Sequence, residues 1–332
     1  MKILVLNAAD MEKVMNSRDA VEADRLALAA YAEGNVDIPL RPGTKVPEHN
    51  GNALYMLGYV PAAEALGVKI VSVYPDNIEK GLPSVPATMA LLDAQTGIVN
   101  CIMDGTALTR IRTGAVSGLA TELLSREDSR VFAMFGAGGQ SRSQIDAVLT
   151  VRPQIELVKI YDMNVARAKE LAAELQAKYE GKFRAKFVGA DTPAQAVEDA
   201  DIISTATVAK DPVFDGKMVK KGAHINAVGS YTPDMSEIDE YIVVNAGKVY
   251  IDTPDAVAES GDLIKPIAKG IFSEDKITGQ LGDLINGKTP GRSDAEEITY
   301  FETVGNAVLD LVAAKKIYDL AIEKGIGQTI EM

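Results

Sequence analysis

Hydrophobic and polar positions follow two rhythms along the chain. Before about residue 104, short apolar runs succeed one another: Lys2–Leu6, Ala53–Leu57, Lys69–Tyr74, Ala87–Leu92 and Gly97–Met103. Gly, Pro and Asn punctuate them, so they read as strands. Strands with no helices between them predict a mixed or antiparallel sheet. A helix precedes most of these strands, from Ser17 to about Gly34. Ser17 reads as its cap, Asp19 suits the positive end of the helix dipole, and Gly34 suits the stop. Val21, Leu28 and Tyr31 help to form its apolar stripe.

Near residue 115 the rhythm changes. A helical segment, Ala115–Leu124, precedes the apolar run Arg130–Phe135. The chain then alternates: strand Leu157–Asp162, helix Val165–Tyr179, strand Phe183–Val188, helix Ala194–Ala200, strand Asp201–Ala206. Ala223–Val228 and Lys248–Ile251 are further strand candidates. This alternation predicts an α/β fold, a parallel sheet with helices on its faces. A last helix, about Val304–Glu323, carries Val308, Val312, Ala313, Ile317 and Leu320 on one face.

Composition narrows the classes of partner. At 332 residues the chain suits about two domains. Lys and Arg number 34 against 47 Asp and Glu, a formal net charge of −13. Phosphate-backbone binding relies on clustered basic charge, so no nucleic-acid partner is expected. Cys101 is the single cysteine, which argues for a reducing compartment and against Cys-based zinc. His49 and His224 are the only histidines and lie far apart in sequence, so no metal site is expected. No apolar run approaches the roughly 20 residues that cross a bilayer, and Lys2–Leu6 is too short for a signal-peptide core. A cytoplasmic protein without a membrane partner is the expectation.

Candidate chemistry starts at Gly136-Ala137-Gly138-Gly139-Gln140-Ser141, placed between the strand ending at Phe135 and a helix from Ser141 onward. In a dinucleotide fold the first glycine makes the tight turn and the second lets backbone approach a pyrophosphate. The helix N-terminus adds free N–H groups and positive dipole. Ser141 stands where the pattern has its third glycine. By itself such a loop also reads as a flexible turn. The next strand ends at Asp162, 26 residues after the first glycine, against a usual spacing of about 20. A carboxylate there accepts from both ribose hydroxyls and repels a 2′-phosphate, favouring NAD over NADP. Asp162 also reads as an N-cap for the following helix.

Several stretches in order along the chain resemble the ornithine cyclodeaminase/mu-crystallin family. They are Asp104-Gly105 with Leu108–Ser117, the glycine loop, Lys221–Ser230, Glu259-Ser260-Gly261-Asp262, and a tail of Phe301–Asp310 with Ala313–Tyr318. The resemblance implies a Rossmann dinucleotide-binding domain, residues 116–304. It also implies an α+β substrate-binding and dimerisation domain, residues 1–115 with 305–332, and a homodimer. The cofactor residues it implies are Thr113, Gly136, Gly138, Gly139, Gln140, Asp162, Thr205, Ala206 and Gly229.

In that family an arginine, a lysine and a second arginine converge on the substrate carboxylate. The matching residues are Arg41, Lys69 and Arg112. A guanidinium holds a carboxylate as a bidentate, charge-assisted pair. Two arginines beside Lys69 lower its pKa and suit it to proton transfer. Lys69 lies in an apolar strand, where an unpaired ammonium is costly. Without the resemblance each of the three reads as surface charge. Thr88 matches a pocket-lining position and equally reads as a structural strand threonine.

One departure separates the branches. Cyclodeaminases of the family carry an aspartate that handles the substrate amine, and here Tyr231 takes its place. A phenol, with a pKa of about 10, is no carboxylate base. Asp234, three residues on, reads either as a substitute or as a cap. The expected activity is an NAD-dependent oxidoreductase at the Cα–N bond of a small amino or imino acid, a cyclic ketimine or alanine. Two alternatives stand beside it. One is an ornithine cyclodeaminase, a lyase with catalytic bound NAD that yields proline. The other is a crystallin-like protein that binds NAD(P)H and a small ligand.

Overall fold

A computed structural model describes all 332 residues. In chain order the elements begin with β1 (Lys2–Leu6), α1 (Ala8–Val14), α2 (Ser17–Ala32), β2 (Gly43–Val46), β3 (Gly51–Val60), β4 (Ala65–Val73), β5 (Ala87–Leu92), β6 (Val99–Asp104) and α3 (Gly105–Leu124). There follow β7 (Val131–Phe135), α4 (Ser141–Val151), β8 (Leu157–Tyr161), α5 (Val165–Lys178), β9 (Lys186–Gly189), α6 (Pro193–Val197), β10 (Ile202–Thr205) and β11 (His224–Ala227). The last part holds α7 (Glu240–Asn245), β12 (Lys248–Ile251), α8 (Asp255–Glu259), α9 (Gly261–Ala268), β13 (Gly279–Gln280), α10 (Leu281–Ile285), β14 (Thr299–Glu302), α11 (Ala307–Lys324) and β15 (Gln328–Glu331). Two compact units result, Met1–Arg112 with Asn306–Met332, and Thr113–Gly305. The division falls inside α3.

The first unit is a seven-stranded sheet in the order β15-β1-β6-β5-β4-β3-β2. Strands β2 to β6 run antiparallel, and β1 joins β6 in parallel. Alternate residues therefore face opposite sides. One side packs on α11, which lies against α2, and buries Met56, Val71, Met89 and Met103. The other side leaves Tyr55, Leu57, Tyr59, Leu66 and Val68 half-buried and Ile70 exposed.

Two local corrections concern caps. Asn16, and not Ser17, caps α2: its side chain accepts from the Asp19 N–H at 2.9 Å, and Ser17 is already helical. Helix α3 starts at Gly105, well before the Ala115 read from the pattern. Asp104 caps it, with Oδ1 accepting from the Thr106 and Ala107 N–H groups at 2.9 Å each.

The second unit is an eight-stranded sheet in the order β13-β12-β14-β11-β10-β7-β8-β9, parallel throughout. Read from its β9 end, the first five strands repeat the 3-2-1-4-5 order of a Rossmann fold. Both sides are covered. Phe132, Met134, Val158 and Ile160 pack into one layer, and Phe135, Ile203, Ile225 and Tyr300 into the other. Burial on both sides is why these strands read as continuous apolar runs. No helix is long and apolar enough to cross a membrane.

Candidate active site

In the second unit the glycine stretch is the loop between β7 and α4. Gly136 has φ +98°, and a Cβ there would meet the Ala206 carbonyl oxygen at 2.7 Å. Only glycine meets both demands. Nothing lies within 4 Å of where a Cβ would stand on Gly138 or Gly139. They leave a cradle beside the N-terminus of α4, whose free N–H groups suit a pyrophosphate. Ser141 explains its own departure from glycine: its Oγ reaches the Gly136 and Gly138 carbonyls at 2.7 and 3.1 Å, bracing the loop. Gln140 Oε1 is buried without a protein partner.

Asp162 accepts from the Ala137 N–H at 2.8 Å through Oδ2 and from the Asn164 N–H at 2.9 Å through Oδ1. It is not the N-cap of α5, because Asn164 is. Each carboxylate oxygen keeps a lone pair, so Asp162 can brace the loop and still accept from ribose. Met163 and Val208, 93% and 82% exposed, add apolar surface just beyond β8 and β10. These features fit a dinucleotide.

Thr205, Ala206 and Gly229 come together at the ends of β10 and β11, and Glu237 ties them. Glu237 is fully buried and accepts from Thr205 Oγ1 at 2.8 Å, from the Gly229 N–H at 2.6 Å, and from the Thr207 N–H. Burial pushes its carboxyl up to about 7. A Cβ on Gly229 would stand 2.4 Å from the Thr207 carbonyl oxygen, so the crossing demands glycine. Asp262 braces Glu237 from behind, taking Ser236 Oγ and the N–H groups of Glu237 and Ile238 on Oδ1. The sequence reading assigned no role to Glu237. The Thr113 carbonyl accepts from Gln144 Nε2 at 2.9 Å, which joins α3 to α4.

Burial raises the Tyr231 phenol above its ordinary value, so it is still less of a base. Asp234 is engaged at the surface by Thr232 Oγ1 at 2.7 Å and Lys210 at 2.9 Å, which hold it at about 2. It is a local brace. His224, buried between Thr299 and Asn226, is lowered by burial to about 3 and stays neutral. Burial pushes the Cys101 thiol up to about 12. No cluster of His, Cys, Asp and Glu is arranged to hold a metal ion.

The first unit holds the basic residues. Lys69 points from β4 to the covered side of the sheet and is 1% exposed. Its Nζ pairs with Asp310 Oδ2 at 2.6 Å and donates to Thr109 Oγ1 at 3.3 Å. Thr109 donates its own proton to the Gly105 carbonyl at 2.7 Å, which turns a lone pair to the lysine. Arg112, on the same face of α3 as Thr109, donates from Nε to Asp310 Oδ1 at 3.0 Å. Asp310 thus engages only Nε, and the Nη pair is left for a carboxylate. Arg41, in the loop between α2 and β2, bears on Lys69 through its charge. Burial lowers Lys69 to about 8, with Arg112 and Arg41 adding to the effect and Asp310 opposing it.

Thr88 is the exception. Its register partner is Ile70, whereas Lys69 pairs with Met89. Thr88 therefore stands on the opposite side of the sheet from Lys69. It lines a groove of about 350 Å³ with Leu6, Pro86 and Thr106 instead. A one-residue offset in a strand is a change of face.

The model of the ornithine cyclodeaminase/mu-crystallin family matches residues 1–325. The chain belongs to this family. Within it, the chain is 37% identical over 330 residues to the Δ1-pyrroline-2-carboxylate reductase of Bacillus cereus (strain ZK / E33L), covering 99% of this chain and 100% of that one. The solved structure of Thermococcus litoralis Δ1-pyrroline-2-carboxylate reductase, in complex with NADH and L-proline, is 39% identical with a TM-score of 0.92, covering 99% of this chain and 100% of that one. An archaeal alanine dehydrogenase dimer with bound NAD is 30% identical with a TM-score of 0.90, covering both chains fully.

Proposed function

We propose that this family member is an NADH-dependent reductase of a cyclic imino acid of the Δ1-pyrroline-2-carboxylate type. The observation that carries the reading is the Asp310 pair: it anchors Arg112 through Nε, leaves the guanidinium fork open, and holds a buried ammonium beside it. The similarity to two pyrroline-2-carboxylate reductases supports the substrate class. Arg112, with Arg41, takes the carboxylate of the imino acid as a charge-assisted pair. Reduction of the C=N bond adds a hydride at Cα and a proton at nitrogen. NADH supplies the hydride when bound. Lys69 Nζ supplies the proton, and its lowered pKa of about 8 eases release while leaving it protonated at neutral pH.

The backbone of Gly136, Gly138 and Gly139 would take the pyrophosphate, with Asp162 on the adenosine ribose. Thr113, Gln140, Thr205, Ala206 and Gly229 complete the cofactor set. Asp162 selects NADH over NADPH by repelling a 2′-phosphate. Tyr231 in place of an amine-handling carboxylate disfavours the cyclodeaminase reaction. The aliphatic face of half-buried Leu57, Leu66 and Val68 and exposed Ile70 suits a two-fold dimer, since an apolar face of this kind asks for a cover. The single cysteine suits a cytoplasmic setting. Loss of NADH absorbance with Δ1-pyrroline-2-carboxylate tests the reading. Stoichiometric oxidation supports it, and ammonia release from ornithine without net NADH change overturns it.

A further inference from the structure

Asp24 lies in the buried stripe of α2, among Ala20, Val21, Ala27 and Leu28, with no accessible surface. Neither of its carboxylate oxygens has a hydrogen-bond partner. The charges that bear on it are the Arg112 guanidinium on α3 and the Asp310 carboxylate on α11. Asp310 in turn pairs with Lys69 on β4, and Arg41 bears on that lysine. A carboxylate buried without a donor is costly to ionise, and a neighbouring carboxylate raises the cost. Burial, opposed by Arg112 and reinforced by Asp310, pushes Asp24 well above the ordinary carboxylate range.

We propose that Asp24 is a positioning residue of the carboxylate clamp, held as an uncharged acid whose neutrality leaves Arg112 to the substrate. The proposal rests on the role given to Arg112 above. The ionised form of Asp24 competes with the substrate for the same guanidinium. Asp310 cannot offset that competition, because both of its oxygens are already engaged. Imino-acid affinity therefore falls as Asp24 ionises, whereas the proton-transfer limb belonging to Lys69 appears in kcat.

The test compares the wild type with Asp24→Asn, which keeps the shape and cannot ionise, and with Asp24→Val should the amide fail to fold. Difference infrared spectra at neutral pH are expected to show a protonated-carboxyl band in the wild type that the variant lacks. As pH rises and the band fades, the wild-type KM, and the Kd of L-proline by calorimetry, rise about tenfold per pH unit. In the variant both stay within about twofold over that interval. A purely structural Asp24 moves the unfolding midpoint and leaves these profiles unchanged. No band at neutral pH, or a variant whose affinity follows the wild-type profile, overturns the proposal. A wild type that binds L-proline with this pH dependence yet turns over no imino acid refutes the assigned reaction and leaves the role of Asp24 standing.

Discussion

Lys69 in the first unit and Glu237 in the second are both ionisable groups taken fully out of water, and they are handled in opposite ways. Lys69 is met by a counter-charge, Asp310, which also holds Arg112 and leaves the Nη donors of that arginine unspent. Glu237 is met by no cation. A hydroxyl at the end of β10 and two backbone N–H groups in the loops beyond β10 and β11 meet it instead. The difference separates two uses of buried charge. A group that meets a ligand keeps spare hydrogen-bonding capacity beside it, and a group that shapes a loop directs its own to that loop.

The largest effect falls on the counter-charge. Asp310→Ala leaves Lys69 buried without its partner, and breaking such a pair costs about 3–5 kcal/mol. Urea unfolding checks this, and a loss below about 1 kcal/mol breaks the comparison at its first term. Next comes the open fork. Arg112→Lys keeps the charge and loses the bidentate geometry, at about 2–3 kcal/mol or 30- to 150-fold in kcat/KM. NADH affinity should stay within about twofold, and an unaltered kcat/KM removes Arg112 from the clamp.

A smaller and complementary effect is expected from Glu237→Gln. It replaces an acceptor by a donor facing N–H groups, and NADH affinity should fall about tenfold, about 1.4 kcal/mol, with little change in imino-acid KM. Fluorescence titration of NADH reads it, and a shift in KM alone would assign Glu237 to the wrong ligand. The last effect is a pH dependence. Glu237 is raised from 4.5 to about 7 in the folded chain. The folded state therefore holds a proton between those values that the unfolded state releases. The resulting stability is complete below pH 4.5 and is lost as pH rises through about 7. Urea midpoints of wild type minus Glu237→Gln should decline across that window, and a flat difference contradicts the buried-acid reading.

The sequence was legible where one physical signal dominated. β5, β12 and the start of α4 fall where the pattern places them because their apolar runs end sharply at turn residues or glycines. The front of α3 was hidden, since Thr106, Arg110 and Arg112 interrupt its apolar pattern and its cap, Asp104, closes a strand. β14 holds only two apolar residues, Tyr300 and Phe301, between Thr299 and Glu302, and gave too weak a pattern. The basic trio was legible only through the family resemblance. Its counter-charge was not, because Asp310 meets Arg112 across 198 residues of chain. One signal could have found both acids: Asp24 and Asp310 occupy apolar positions of α2 and α11, where a carboxylate needs a reason.

The central claim is that hydride is delivered to Cα of an imino acid held by its carboxylate. The most direct measurement uses NADH deuterated at the transferring C4 position with Δ1-pyrroline-2-carboxylate, and mass spectrometry of the proline formed. The account predicts one deuterium at Cα per NAD released. Proline that carries no deuterium at Cα, or no proline formed, would contradict it.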